Sequence, residues 1–218
     1  MSDKIRTYEN KDIEVQYSAK RCIHAAECVG GLPRVFNPKR RPWIEPDAAE
    51  PNSLAEVILR CPSGALHLER KDGEATESAP EKNTVSVCAD GPLYVHGDAH
   101  ITNADGETVI QDTRVALCRC GASKNKPFCD NSHLEVHFSD AGDIGTSGLI
   151  VAGEASEGGP CQIKLAPDGP LLVQSMFELR NADGSVVFHA PKSAFCRCGG
   201  SANKPFCDGT HRQNGFTG

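Results

Sequence analysis

Lys126-Pro127-Phe128-Cys129-Asp130-Asn131-Ser132-His133 returns 78 residues later as Lys204-Pro205-Phe206-Cys207-Asp208-Gly209-Thr210-His211. These two stretches close a longer repeat. Thr84 to His133 aligns without a gap onto Gln162 to His211, with 23 of 50 positions identical. Self-similarity at a fixed offset is the mark of duplicated structural units. Asp90-Gly91-Pro92-Leu93 matches Asp168-Gly169-Pro170-Leu171, and Asn103-Ala104-Asp105-Gly106 matches Asn181-Ala182-Asp183-Gly184. Short apolar runs, Leu93-Tyr94-Val95 and Leu171-Leu172-Val173, lie between these Asp-Gly turn signals. The pattern predicts a strand, a turn and another strand ahead of each cysteine cluster.

Each repeat ends on one set of donors, Cys118-x-Cys120-x8-Cys129-x3-His133 and Cys196-x-Cys198-x8-Cys207-x3-His211. Three thiolates and an imidazole suit either tetrahedral zinc or a diiron cluster. Zinc sites usually grip the ion with Cys-x2–4-Cys knuckles. A Cys-x-Cys pair on an extended segment instead suits one iron, leaving Cys129 and His133 for a second. The two quoted segments resemble the signature of the CDGSH iron–sulfur family, also called the NEET family, over about residues 84 to 138 and 162 to 216. That resemblance implies a [2Fe-2S] cluster in each repeat with the histidine near solvent. By position the ligands would be Cys118, Cys120, Cys129 and His133, then Cys196, Cys198, Cys207 and His211. A pair of structural zinc sites is the alternative. Asn131 replaces the glycine of the motif, a position that can need a left-handed backbone, and Thr210 replaces its serine. Asp130 and Asp208 are expected to cap helices, and Lys126 and Lys204 to be solvated.

A second pattern lies upstream. Cys22-Ile23-His24-Ala25-Ala26-Glu27-Cys28 is followed at a distance by Cys61-Pro62. Single-cluster ferredoxins use Cys-x2-Cys-x2-Cys and a remote Cys-Pro, and here Ala25 stands at the second ligand position. Pro33-x-Val35-Phe36 and Cys61-Pro62-x-Gly64-Ala65-Leu66 add to a resemblance to divergent single-cluster ferredoxin domains over about residues 10 to 70. Three ligands, Cys22, Cys28 and Cys61, imply [3Fe-4S] first, or [4Fe-4S] with its last iron on His24 or on an outside ligand. The bland alternative is three cysteines in a metal-free core. Ile13, Val15 and Tyr17 alternate as in a half-buried strand, Ser53 to Arg60 reads as a short amphipathic helix capped by Ser53 or Asn52, and Leu66-His67-Leu68 as a closing strand.

The expected architecture is α+β. A ferredoxin-like domain over 1–71 precedes a polar linker, Asp72 to Asn83, and two β-rich CDGSH domains over 84–138 and 161–218. The two repeats are expected to pack with pseudo-twofold symmetry, so that a monomer mimics a dimer. Ser139 to Pro160 is expected to separate them, with a strand at Gly148 to Ala152. Cys88 and Cys161 are left over as packing residues. His67, His96, His100, His137 and His189 lack a ligand pattern, and Trp43 anchors a loop.

A net charge of −6 argues against nucleic acid, whose phosphates need a basic face. Lys39-Arg40-Arg41 reads as a solvated loop. Neither a signal-like apolar stretch near Met1 nor a membrane-length one elsewhere is found, and eleven cysteines suit a reducing cytoplasm. With no nucleotide loop or activated nucleophile in the sequence, the expected role is electron transfer to a redox partner protein, not catalysis. Cluster storage, cluster transfer to an apo-protein acceptor, or redox sensing is the alternative.

Overall fold

The computed structural model describes residues 4–74, 77–144 and 159–218. The strand expected at Gly148 to Ala152 lies outside the described residues. The chain divides into two compact units, Met1–Ser78 and Ala79–Gly218, with the division inside the polar linker.

The first unit carries an antiparallel sheet of β1 (Ile5–Glu9), β2 (Ile13–Ser18) and β3 (Leu66–Arg70), with β2 central. Ile13 and Val15 point inward because alternate residues of a strand share a face. Two helices, α1 (Glu27–Gly31) and α2 (Pro51–Leu59), complete the unit. Leu54, Val57 and Ile58 of α2 join Ile13, Val15, Phe36, Ile44 and Leu66 in the core.

Two local readings are corrected here. The helix α2 starts at Pro51 after an extended Glu50, so neither Asn52 nor Ser53 caps it. Proline suits that position because its missing N–H is one the helix would leave unpaired. In the basic triplet, Arg40 is more than a solvated cation. It donates to the carbonyls of Val35 (2.8 Å) and Pro42 (3.2 Å) and pairs with Glu45, which pins the loop. Trp43 anchors that loop by packing edge-on to Tyr17, with ring centroids 4.8 Å apart.

The second unit is one eight-stranded sheet shared by both repeats. The first repeat supplies β4 (Thr84–Val87), β5 (Leu93–Thr102) and β6 (Thr108–Leu117), followed by the short helix α3 (Ser132–Glu135). The second supplies β7 (Cys161–Leu165), β8 (Leu171–Val173), β9 (Phe177–Arg180), β10 (Val186–Ala190) and β11 (Ser193–Phe195). Under the 78-residue offset β8 and β9 together match β5, and β10 and β11 together match β6.

The two repeats pair by exchange. Strand β4 runs parallel to β9 with Thr84 opposite Glu178, Val85 opposite Leu179 and Ser86 opposite Arg180. Strand β7 runs parallel to β5 with Gln162 opposite His100, Ile163 opposite Ile101 and Lys164 opposite Thr102. Adding 78 to one member of each pair and subtracting it from the other turns the first register into the second. The inward residues of both repeats, among them Val85, Ile101, Ile163, Leu179, Leu117 and Phe195, form one core. Asn83, placed in the linker by composition, is buried and braces this unit: its side-chain amide donates to the Gly159 carbonyl at 2.9 Å and its oxygen accepts from the Asp98 amide.

Candidate metal centres

In each repeat a strand end delivers the first two cysteines and a folded-back loop returns the third. Cys118 follows β6 directly, and its amide donates to the Pro127 carbonyl (2.9 Å) while the Cys129 amide donates to Ala116 (2.8 Å). Cys196 and Cys207 are held by the equivalent bonds to Pro205 and Ala194, both 2.8 Å. Ser123 cinches the intervening loop by donating to the Phe128 carbonyl at 2.7 Å and accepting the Asn125 amide, and Ser201 repeats this with Phe206 and Asn203.

Asp130 and Asp208 are not N-caps. The residues at the cap positions are Asn131 (φ 72°) and Gly209 (φ 90°), both left-handed and without a side-chain cap bond. Asp130 instead accepts the Ser132 amide and hydroxyl on one oxygen and the Lys124 amide on the other. Asp208 does the same with Thr210 and Ala202, and the Thr210 hydrogen bonds hold its carboxyl well below the usual range. A carboxylate fixed in this way braces the turn between the third cysteine and the histidine.

The donor atoms fall into pairs. Cys118 and Cys120 Sγ are 3.7 Å apart, and Cys129 Sγ lies 3.4 Å from His133 Nδ1. The second repeat gives 3.6 Å for Cys196 and Cys198 and 3.3 Å for Cys207 and His211 Nδ1. Two thiolates on one tetrahedral ion, with metal–sulfur bonds of about 2.3 Å, stand about 3.8 Å apart. Each pair therefore fits one metal ion, with Nδ1 as the imidazole donor. Among the described residues, no three of the four donor atoms in either repeat gather within 4.8 Å of one another.

Burial and proton sharing shape the thiols. A hydrogen bond from Cys120 draws Cys118 down to about 6, and Cys120 is pushed up in return. Burial pushes Cys129 and Cys196 up to about 11. His133 is held below the ordinary imidazole value by burial, with the Arg119 charge acting the same way. Backbone amides of Ala122 and Asn131 lie 3.4 and 3.5 Å from Cys120 and Cys129 Sγ, so N–H groups already face the sulfurs.

The two sites meet along the backbone. Cys120 and Cys198, themselves 78 residues apart, form an antiparallel bridge. Gly121 and Gly199 permit it: a Cβ on Gly121 would come within 2.7 Å of the Cys198 carbonyl oxygen, and one on Gly199 within 2.5 Å of that of Cys120.

Sequence reasoning missed a set of supporting residues. Arg119 and Arg197, each between its two cysteines, are 2% exposed. Arg119 donates to the Gly91 carbonyl (2.8 Å) and to that of Cys88, and pairs with Asp140 at 2.7 Å. Arg197 donates to the carbonyls of Gly169, Ala166 and Gly218, each at 2.7 Å. Phe138 lies between Arg119 (5.2 Å) and Lys204 (5.9 Å) of the other repeat, and Phe216 between Arg197 (5.3 Å) and Lys126 (5.7 Å). The two lysines expected to be solvated are thus cation–π braces across the repeats. Duplication was the available signal, since Phe138 and Phe216 keep the 78-residue offset beyond the aligned block.

In the first unit Cys22, Cys28 and Cys61 line a cavity of about 430 Å³, within the roughly 300–1,000 Å³ of sites that enclose small ligands. Cys28 sits on α1, and Cys61 follows the end of α2. Arg21 ties the two loops together, its side chain donating to the Ser63 carbonyl at 2.6 Å. Burial, then the nearby Cys61 and Cys22, pushes Cys28 up to about 11. Burial, then the nearby Cys22, pushes the Tyr17 phenol up. Of the two leftover cysteines, Cys161 is fully buried in the core of the second unit, while Cys88 is half-buried. His67 and His100 have carboxylate partners, Glu77 and Asp98, each at 2.9 Å.

Residues 90–134 and 168–212 match the model of the iron-binding zinc finger of CDGSH type. The chain carries two CDGSH-type iron-binding domains. Residues 8–71 match a second model, the divergent 4Fe-4S mono-cluster domain, so two CDGSH domains in tandem follow a mono-cluster domain. The uncharacterized protein YjdI of Escherichia coli (strain K12) is 41% identical over 66 residues, which is 30% of this chain and 87% of that protein, and YjdI of Escherichia coli O157:H7 gives the same values. No solved structure matches. The chain is therefore an iron–sulfur protein by family. No helix among the described residues is long and apolar enough to cross a membrane.

Proposed function

We propose that the chain is a one-electron carrier with three iron–sulfur centres, and that it is not an enzyme. Cys118, Cys120, Cys129 and His133 would hold one [2Fe-2S] cluster, and Cys196, Cys198, Cys207 and His211 the other. The donor pairing carries this reading. One zinc ion would draw all four donors to within about 4 Å of one another, whereas two pairs that each fit a metal, with no three donors inside 4.8 Å, suit two irons. Cys22, Cys28 and Cys61 would hold a cuboidal cluster. The matched model's description favours [4Fe-4S] over [3Fe-4S] for it.

Bound clusters would supply reversible uptake of single electrons. The chain's own groups set the terms of that uptake. Replacing one thiolate by a neutral imidazole removes a negative charge beside the metal, which favours reduction. Arg197 places a buried guanidinium next to its Cys-x-Cys pair, Arg119 does so with Asp140 as its counter-ion, and the Ala122 and Asn131 amides face the sulfurs, all favouring added negative charge. The Cys120–Cys198 bridge joins the two ligand loops by backbone alone, so the tandem centres are neighbours.

For the fold, the exchanged registers of β4 with β9 and of β7 with β5 support pseudo-twofold packing of the repeats in a monomer. The three-stranded sheet with two helices supports a ferredoxin-like reading of the first unit. Eleven free thiols suit the cytoplasm, and a redox protein is the expected partner.

The test is to purify the chain without oxygen, count iron and sulfide, record EPR in both oxidation states, and cycle the protein repeatedly with chemical oxidant and reductant. A carrier keeps its iron through the cycles and in the presence of an apo-ferredoxin. Conversion of that acceptor, with matching loss of iron, would replace this reading by cluster transfer. Zinc in place of iron would remove both.

A further inference from the structure

The loop around Cys22 supplies two thiolates, Cys22 and Cys28, and Cys61 supplies the third. Ala25, at the remaining position of the pattern, offers no donor. We propose that His24 is the fourth protein ligand of the N-terminal centre, making it a [4Fe-4S] cluster with three cysteines and one histidine. The proposal rests on the reading that the first unit's cavity holds a cuboidal cluster.

Four observations converge on His24. Its side chain lines the same cavity as the three cysteines. Its Nδ1 lies 3.9 Å from Cys22 Sγ, which puts the imidazole on the thiol's side of the loop, a side-chain rotation away from an iron beside the one Cys22 would bind. The backbone is left-handed at His24 (φ 54°) and again at Ala26 (φ 65°). For residues other than glycine this conformation costs roughly 1–2 kcal/mol each, and such strain gathers where a ligand must be met. The fourth observation is reach. Nδ1 lies three bonds from Cα and a cysteine sulfur two, so a histidine one position before Ala25 gains the length that the shorter spacing loses.

The other groups lining the cavity are less suited. The Glu27 carboxylate is a hard oxygen donor of the kind that suits magnesium, calcium or manganese, whereas imidazole suits iron. Tyr17 stands beside Cys22, and the Ser63 hydroxyl lies 3.7 Å from Cys61 Sγ. Arg6 and Arg41 carry no lone pair to offer a metal. Imidazole is a good iron donor in its neutral form.

A fourth ligand has a definable consequence. It retains the fourth iron, which a three-thiolate site gives up on oxidation as ferricyanide accepts one electron and a ferrous ion departs. The experiment uses the full chain purified without oxygen as wild type, His24→Ala, His24→Cys and Cys61→Ala. Wild type should contain about eight irons, four in the N-terminal cluster and two in each CDGSH site. Mild ferricyanide should leave its iron count unchanged. His24→Ala should lose about one iron per chain under the same treatment and gain the EPR signal of an oxidised [3Fe-4S] cluster, and His24→Cys should retain the iron. Pulsed EPR of protein with 15N-labelled histidine should show a histidine nitrogen coupled to the fast-relaxing N-terminal signal in wild type and not in His24→Cys.

An eight-iron protein whose His24→Ala variant keeps the fourth iron and the nitrogen coupling would overturn the proposal while leaving the cuboidal reading intact. About four irons in wild type, unchanged by Cys61→Ala, would overturn the cuboidal reading and the proposal with it.

Discussion

Cys129 and His133 of the first repeat are 3% and 9% exposed, whereas Cys207 and His211, on the same spacing, are half-buried. The supports differ too. Arg119 pairs with the Asp140 side chain, whereas its counterpart Arg197 bonds main-chain oxygens of Gly169, Ala166 and Gly218. The first repeat runs β5 as one ten-residue strand, while the second breaks the same stretch into β8 and β9. Identical donors thus sit in unequal surroundings. Duplication conserved the ligand spacing and let the cover over each site diverge, which gives two centres of one type different access to solvent.

The largest expected effect is that of removing metal. Thiolate–metal bonding contributes about 10 kcal/mol or more in small metallo-domains, comparable to the whole stability of a domain. Full chelation should lower the thermal transition of the second unit steeply. With a chelator in limiting amount the half-buried site should empty first, giving two phases in the visible absorbance. Cys207→Ser should delete the fast phase and Cys129→Ser the slow one. A single phase shared by both variants would mean that the difference in cover has no consequence.

The same step predicts a pH dependence for the stripped protein. Cys129 and Cys196 are raised from 9.0 to about 11 when folded, so the folded apoprotein binds their protons more tightly than the unfolded chain. That stability is fully present below pH 9 and is lost as pH rises toward 11. Metal-bound thiolates carry no such proton, so loaded protein should show no loss in this window from these groups. Denaturant midpoints of both forms at pH 8 and pH 10.5 check this, and parallel slopes would reject it.

The arginines come next in size. Removing one partner of a buried pair leaves the other charge uncompensated, at about 3–5 kcal/mol. Arg119→Ala strands Asp140 and two carbonyls. Arg197→Ala strands the main-chain oxygens of Gly169, Ala166 and Gly218, at about 1–3 kcal/mol for each acceptor left without a partner. Both variants should be strongly destabilised, and Asp140→Asn combined with Arg119→Ala should recover part of its loss. No recovery in that double variant would show that the ion pair adds nothing to the clamp.

These contrasts also mark where sequence reading works. The candidate donor sets stood out because the duplication printed their spacing twice. The β content was legible from Asp-Gly turns between apolar runs, and β2 from the alternation of Ile13, Val15 and Tyr17. Arg119 and Arg197 were not, since an arginine between two cysteines has the same letter whether it is solvated or clamped. The exchanged pairing of β4 with β9 was equally hidden, because alternation tells which face of a strand is buried but not which strand lies beside it. Asp130 looked like a cap because its spacing from the histidine fits one. The left-handed turn at Asn131 moved the cap position one residue on.

That turn offers the smallest and most direct comparison of the repeats. Asn131 has φ 72° and Gly209 φ 90° at equivalent positions. A Cβ on Gly209 would meet nothing within 4 Å, so a side chain there is opposed by backbone conformation alone. Left-handed alanine costs roughly 1–2 kcal/mol relative to glycine, and asparagine less, because its short polar side chain bonds locally. Gly209→Ala should lower stability by about 1–2 kcal/mol and Gly209→Asn by less than about 1 kcal/mol. In the first repeat Asn131→Gly relieves the residual strain but loosens the unfolded chain by about 0.5–1 kcal/mol, so the two effects should nearly cancel. Asn131→Ala should then cost about 1 kcal/mol, the gap between alanine and asparagine in this conformation. Denaturant midpoints of the four loaded variants measure these differences. If Asn131→Gly instead stabilised the protein by as much as Gly209→Ala destabilised it, asparagine would carry the full strain. The first repeat would then owe its tolerance of the substitution to its deeper burial, not to the residue it chose.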